Sequence, residues 1–228
     1  MVKTVFLDLD DTILDFHKAE RTALRRTLQD AGVDSSDAVL ERYHEINKQH
    51  WEMLEEGKIT RAQVKTLRFE KLFQVLGVER DIGAVCSSYE KYLSQGAFFV
   101  PGAQELLKVI ASRYELYLAS NGGARVQNAR LDAAGIRGYF KGQFISEEIG
   151  ANKPDPAFFA ACFAAIPNFE KEAAVMVGDS LTSDIRGGRN AGLRTIWFNP
   201  EGKPPRADIP ADHEICKLEE LPALLEKL

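Results

Sequence analysis

The sequence predicts an α/β fold: a doubly wound parallel-sheet core of the Rossmann type, with a helical cap inserted after the first strand. Three observations predict it. Five short apolar runs rich in β-branched and aromatic residues recur along the chain, as buried strands do. Helical segments separate the later runs, and strand alternating with helix means a parallel sheet covered on both faces. The rhythm is broken once, from about His17 to Gln95, by a stretch with helical periodicity and no convincing strand.

The elements follow in order. Thr4–Leu9 is the first strand. The helical block then shows three apolar stripes: Val39, Tyr43, Ile46, His50 and Leu54; Phe69, Leu72, Phe73 and Leu76; and Ile82, Val85, Tyr89 and Tyr92. Gly32, Gly57 and Gly77 punctuate them as helix ends. At this spacing Phe16, Tyr43, Trp51, Tyr89 and Tyr92 read as core rather than ligand contacts, and His50 reads as a buried core residue. Pro101-Gly102 opens a helix with Leu106, Leu107 and Ile110 inward. Strands follow at Glu115–Ser120, Gln143–Ser146, Ala173–Gly178 and Arg194–Phe198. Gly135 stops a helix over Ala124–Ala134, and Asp155-Pro156 starts another with a capping acid and a proline in the first turn. Gly202–Pro210 reads as a loop, and Leu218–Leu228 as a last short helix. The expected domains are therefore residues 1–16 with 98–228 for the core and 17–97 for the cap.

Composition narrows the function classes. The chain has 228 residues, 45% hydrophobic and 28% charged, with a net charge of −5. That length supports a sizeable core without disulfide or metal staples. The acidic balance argues against nucleic-acid binding, which needs a basic face. Cys86, Cys162 and Cys216 are sparse and far apart, as in a reducing cytoplasm. No apolar run approaches the length of a membrane span, and Met1-Val2-Lys3 leads into a strand rather than a signal peptide. The expected partner is a small molecule, and the expected state a monomer or weak homo-oligomer.

Four features could carry chemistry. Asp8-Leu9-Asp10-Asp11-Thr12 ends the first strand, with Asp8 and Asp10 on the same side by strand alternation. Ligands of open α/β sheets bind beyond the carboxyl ends of the strands, where two carboxylates can hold a hard cation such as Mg²⁺ or divide into nucleophile and acid/base. Gly178-Asp179-Ser180 brings a second acid to a strand end, with Asp184 early in the next helix; Ser180 serves equally well as a helix cap. Ser120-Asn121-Gly122-Gly123 is either an anion-binding turn or an ordinary one. Pro154 holds Lys153 extended, and a fixed lysine at a crevice rim can neutralise a phosphate. Together these supply a complete kit for phosphoryl transfer. Gly187–Gly192 has P-loop glycine spacing, but Leu193-Arg194 stands where Lys-Ser/Thr is required. No dinucleotide fingerprint follows a strand.

On these four motifs, in this order, the chain resembles the haloacid dehalogenase superfamily, most of whose members are phosphatases. The resemblance spans essentially the whole chain and implies the following. Asp8 attacks phosphorus and forms an aspartyl-phosphate. Asp10 protonates the leaving group and then activates water. Mg²⁺ is held by the Asp8 carboxylate, the Asp10 carbonyl and Asp179, with Asp184 helping. Ser120 and the Asn121 backbone bind phosphoryl oxygens, and Lys153 pairs with Asp8 and the phosphate. Many members have Gly or Asn where this chain has Asp11, and Thr-Asn is more frequent where it has Ser120-Asn121. The dehalogenase branch lacks the second motif-one acid, so Asp10 argues for phosphate chemistry. Asp11-Thr12 with Ile13-Leu14-Asp15-Phe16, Ser120-Asn121-Gly122, Ile145–Gly150 and Thr182–Ile185 look like the noncanonical pyrimidine 5′-nucleotidases. The implied activity is a Mg²⁺-dependent 5′-nucleotidase on pyrimidine nucleoside monophosphates. The alternatives are a phosphatase for phosphoglycolate or a sugar phosphate, or a non-catalytic binding protein on the same fold.

Overall fold

Short apolar runs with every residue shielded from water are what a central parallel strand requires, and β1 (Thr4–Leu7) is buried throughout. In the computed structural model, which covers residues 1–228, it lies inside a six-stranded, all-parallel sheet. The others are β2 (Glu115–Ser120), β3 (Gly142–Ile145), β4 (Ala174–Gly178), β5 (Arg194–Phe198) and β6 (His213–Ile215), in the spatial order β3-β2-β1-β4-β5-β6. The chain thus winds outward from β1 in both directions, and the order reverses between β1 and β4, where such sheets open a crevice. The first strand ends two residues earlier than its apolar run, and β6 is a sixth strand that the sequence pattern did not reveal.

Alternation along the strands feeds two separate cores. Val5, Leu7, Leu118, Val175, Val177 and Ile196 face one side, and Phe6, Tyr117, Ala119 and Met176 face the other. The chain forms two units, Met1–Asp15 with Phe98–Leu228, and Phe16–Ala97. The two crossings between them lie side by side in the α/β unit: Asp15 N–H donates to Phe98 O at 2.9 Å, and Val100 N–H to Ile13 O at 3.1 Å.

The second unit is four helices: α1 (Phe16–Asp30), α2 (Asp37–Glu55), α3 (Arg61–Leu76) and α4 (Ile82–Leu93). The three predicted stripes are largely buried, with Val39, Tyr43, Ile46 and Leu54 inward from α2, Phe69, Leu72 and Phe73 from α3, and Val85 and Tyr89 from α4, while Leu76 and Ile82 at the helix ends are only half-buried. A capping box at Thr60 and Gln63 starts α3. His50 corrects the expectation of a core histidine: it is half-buried, its Nδ1 hydrogen-bonded to Ile46 O at 2.7 Å. It lies at the stripe's edge, where the imidazole reaches back one turn for a partner. Phe16, Trp51 and Tyr92 are likewise only half-buried, while Tyr43 and Tyr89 are core.

The α/β unit carries the other helices. These are α5 (Ala103–Ile110), α6 (Ala124–Ala134), α7 (Ser146–Ile149), α8 (Pro156–Ala165), α9 (Arg186–Asn190) and α10 (Leu221–Leu225). Leu106, Leu107 and Ile110 of α5 join Leu221 of α10 on one face, and Phe158, Phe159 and Cys162 of α8 cover the other. Asp155 Oδ1 accepts from Ala157 N–H at 2.9 Å and caps α8. All three cysteines are free, and no helix is long and apolar enough to cross a membrane.

Candidate active site

The β1 ladder stops at Leu7, so loop geometry, not strand alternation, sets the directions of Asp8 and Asp10. Asp8 N–H still donates to Val177 O of β4 at 3.0 Å. The chain then turns sharply, Ile13 and Leu14 N–H both reaching Leu9 O, and Asp11 N–H reaching Leu14 O. Asp11 takes φ of +57°, in the left-handed region where Gly, Asn and Asp cost least.

Lys153 lies in a tight turn closed by Asp155 N–H to Asn152 O at 2.8 Å, and its peptide to Pro154 is cis. Its ammonium is 1% exposed. It donates to Asp8 Oδ1 at 2.7 Å, to Asp184 Oδ1 at 2.6 Å and to the Ala119 carbonyl. An ammonium has three protons, and all three are used. Burial alone would lower its pKa, but the Asp184 and Asp8 carboxylates outweigh burial and raise it.

Asp184 reaches this place by an unusual route. The residues after β4 form a π-helical turn, Leu181–Ile185, before α9 begins. Such turns are rare and cluster at functional sites. Ser180 caps the turn, its Oγ accepting from Ser183 N–H at 3.2 Å, while Asp184 Oδ2 accepts from Ser180 N–H at 3.1 Å. Gly178 makes room, since a Cβ there would lie 2.1 Å from Asp184 Oδ2. Asp179 is half-buried beside it. Its Oδ1 faces Thr12 Oγ1 at 3.4 Å, its N–H donates to the same hydroxyl, and its carbonyl accepts from Trp197 Nε1 at 2.8 Å.

One oxygen from each of Asp8, Asp179 and Asp184 lies within 4.8 Å of the others. Burial pushes the Asp8 carboxyl well above the usual carboxylate range; Lys153 opposes this, and Asp184 and Asp10 add to it. Asp179 is raised in the same sense by burial, then by Asp184, Asp8 and Asp11. Three carboxylates against one ammonium leave an excess of negative charge on all-oxygen donors. The set fits a hard divalent cation.

Asp10 points elsewhere. Its carboxylate accepts from Gln127 Nε2 at 2.7 Å on one oxygen and from Arg130 Nη1 on the other. Both partners come from α6 and are buried, Arg130 completely. Arg130 Nη1 also donates to Gln127 Oε1 at 3.0 Å, so the two hold each other. Of the four acids expected around the cation, only the Asp10 side chain lies outside the cluster.

Gln127 Nε2 also donates to Ser120 Oγ at 2.8 Å, as does Gly122 N–H at 3.1 Å. With both acceptor sites filled, the hydroxyl has its O–H to offer a ligand. Gly122 is required by the same packing, because a Cβ there would sit 2.4 Å from Gln127. Asn121 has a task its sequence position did not reveal. Its side-chain amide pairs reciprocally with the Lys153 backbone, Nδ2 to O and N–H to Oδ1, each at 2.8 Å. Glu147 accepts from Ala124 N–H at 2.7 Å and so anchors the start of α6. Gln127 and Arg130 were missed as site residues, and Thr12 was read only as part of the first motif; the only sequence signal for the missed pair was two polar residues three apart on the helix after Ser120.

The family model for haloacid dehalogenase-like hydrolase matches residues 2–192. The HAD-hydrolase YfnB of Bacillus subtilis is 39% identical over 96% of this chain and 93% of its own. Its crystal structure, bound to magnesium, superposes with a TM-score of 0.94 over 98% of both chains. The pyrimidine 5′-nucleotidase PynA of Streptococcus pneumoniae is 38% identical over 99% of this chain and 95% of its own. The pyrimidine 5′-nucleotidase YjjG of Escherichia coli is 33% identical over 94% and 96%.

Two outcomes test the electrostatics. Lys153→Met leaves Asp8 and Asp184 buried without their cation and should cost about 3–5 kcal/mol, read as a lower urea midpoint at unchanged slope. The second concerns Asp179. A carboxyl whose pKa is raised on folding adds stability below its unfolded value and loses it as pH climbs through the folded value. In EDTA the melting temperature should therefore fall as pH rises above the usual carboxylate range, and fall less in Asp179→Asn. Excess Mg²⁺ should reverse the loss in the wild type and do little for the variant.

Proposed function

Because the chain belongs to the haloacid dehalogenase-like hydrolase family, we propose that it is a Mg²⁺-dependent phosphomonoesterase working through an aspartyl-phosphate on Asp8. Its proposed substrates are nucleoside 5′-monophosphates, with pyrimidine bases preferred. The observation that carries the chemistry is the separate housing of the two motif-one acids: Asp8 Oδ1 is fixed on Lys153 Nζ, while Asp10 is held by Gln127 and Arg130. Neighbouring carboxylates with different partners suit a nucleophile and a proton carrier respectively.

In the first step Asp8 Oδ2, the oxygen not engaged by Lys153, attacks phosphorus in line with the ester oxygen. The new P–O bond forms as the ester P–O bond breaks, and the departing alkoxide takes its proton from Asp10. In the second step Asp10, now a carboxylate, takes a proton from the attacking water. Water oxygen bonds to phosphorus, the acyl-phosphate bond breaks, and phosphate leaves with Asp8 restored. Ser120 O–H and the Asn121 N–H orient the phosphoryl oxygens, and Lys153 offsets their charge. Asp8, Asp179 and Asp184, with the Asp10 carbonyl, would hold Mg²⁺, which would supply further charge neutralisation of the phosphoryl group.

The substrate reading is supported by the near full-length likeness to two proteins named pyrimidine 5′-nucleotidase. Phosphate release with Mg²⁺ should be measured on UMP, dUMP, dTMP, purine monophosphates, phosphoglycolate and sugar phosphates. Pyrimidine monophosphates should lead, and Asp8→Asn should lose about 10⁴-fold or more in kcat. A stronger response to a sugar phosphate or phosphoglycolate would overturn the substrate assignment and keep the chemistry. Activity surviving in Asp8→Asn would sink the covalent route. Gln127→Leu frees Asp10 from one anchor and should lower kcat on a nucleotide by about 10²-fold. The loss should be smaller on p-nitrophenyl phosphate, whose leaving group needs no proton.

A further inference from the structure

The helical unit holds a second cluster of metal-ligating side chains, built from different donors. His17 and Glu20 stand three apart on α1 and share a face, and His44 comes from α2. One ligand atom of each lies within 4.8 Å of the others. The two imidazoles meet edge to face, their centroids 4.5 Å apart at 86°. Glu20 is 2% exposed, a costly place for a carboxylate, whereas His17 is exposed and His44 half-buried, so one side of the cluster is open to water.

The carboxylate is held in place from behind. Glu20 Oε1 accepts from Asn47 Nδ2 at 2.6 Å, and Asn47 Oδ1 accepts from Arg68 Nη1 at 2.9 Å. Arg68 is itself buried against the ring of Tyr89, 4.8 Å from its centroid. The other carboxylate oxygen, Oε2, is hydrogen-bonded to His44 Nδ1 at 2.6 Å. Ligating carboxylates and histidines are characteristically oriented by such outer partners.

We propose that His17, Glu20 and His44 bind one divalent transition-metal ion of the Zn²⁺ class. Imidazole nitrogens select Zn²⁺, Co²⁺ or Ni²⁺ over Mg²⁺, which prefers oxygen donors. The site is thereby chemically distinct from the all-carboxylate cluster in the α/β unit. On binding, the ion replaces the hydrogen between His44 Nδ1 and Glu20 Oε2, and the neutral imidazole carries its one proton on Nε2. Donors on one Zn²⁺ at about 2.0–2.2 Å each stand roughly 3–3.5 Å apart, so the present contact opens by less than about 1 Å. Water completes the coordination on the open side.

Co²⁺ is the probe, titrated into the full-length Asp179→Asn variant with excess Mg²⁺ so that the carboxylate cluster does not contribute. One equivalent should bind with the visible absorption of a four- or five-coordinate nitrogen site, and Zn²⁺ should displace it. His17→Ala, at an exposed position that leaves the helix core intact, should weaken binding at least about 10-fold. His44→Gln should abolish the band. Zn²⁺ should also raise the melting temperature of the wild type but not of His17→Ala. A spectrum that stays that of aqueous Co²⁺, or binding unchanged in His17→Ala, overturns the proposal.

Discussion

An ammonium group almost cut off from water, Lys153 Nζ, is shared among three oxygens that belong to three different strand ends. Asp8 follows β1, Ala119 lies in β2, and Asp184 lies in the turn after β4. Burying a lone ammonium is prohibitive, and burying a lone carboxylate nearly as much so; each is tolerable only because the others are there. Such an arrangement is cooperative. The loop that carries Lys153 cannot settle until the loops bearing both acids have, and Asn121 then locks the lysine's backbone to the end of β2. Rigidity of the crevice therefore follows from charge compensation as much as from the apolar layers on either side of the sheet.

That compensation is incomplete. Asp179 adds a carboxylate that Lys153 does not touch, and the surplus negative charge suits the crevice to a cation, as a balanced ion pair would not. Gly178 and the π-helical turn serve this surplus directly, since together they let Asp184 fold back against the backbone where an ordinary helical turn would carry it away. Asp10, by contrast, is drawn out of the same field by Gln127 and Arg130. The two halves of one acidic motif thus experience opposite surroundings within three residues of each other.

Much of this was legible in the sequence, and the boundary has physical reasons. Asp8, Asp179, Ser120 and Lys153 could be found because each ends or follows an apolar run, and the sheet's topology brings such ends together. Asp184 could be placed near them but not in its π turn, which no residue pattern announces. Gln127 and Arg130 look like a solvent-facing pair on a helix; only the packing of α6 against the first loop turns them inward. The Asn121 side chain was obscure for the same reason, its partner being a backbone 32 positions away. β6 escaped because three residues reading His-Glu-Ile offer no alternation to detect. Glu20 was hidden by its own chemistry, an acid being the last side chain expected beneath the surface of a helix pair.

The hydrogen bonds between Asp15 and Phe98, and between Ile13 and Val100, have a consequence for how this architecture can change over time. The residues flanking the insertion are stitched to each other by the α/β unit's own backbone, so the sheet is closed beneath the point where the helical segment leaves and returns. Whatever occupies that gap enters and exits through one narrow doorway, with its ends already held together. Its length and internal order carry no obligation to the register of β1 against β2. A lineage could lengthen, trim or exchange the helical segment while the sheet and its carboxylate cluster stayed fixed, which makes the doorway a natural seam for remodelling.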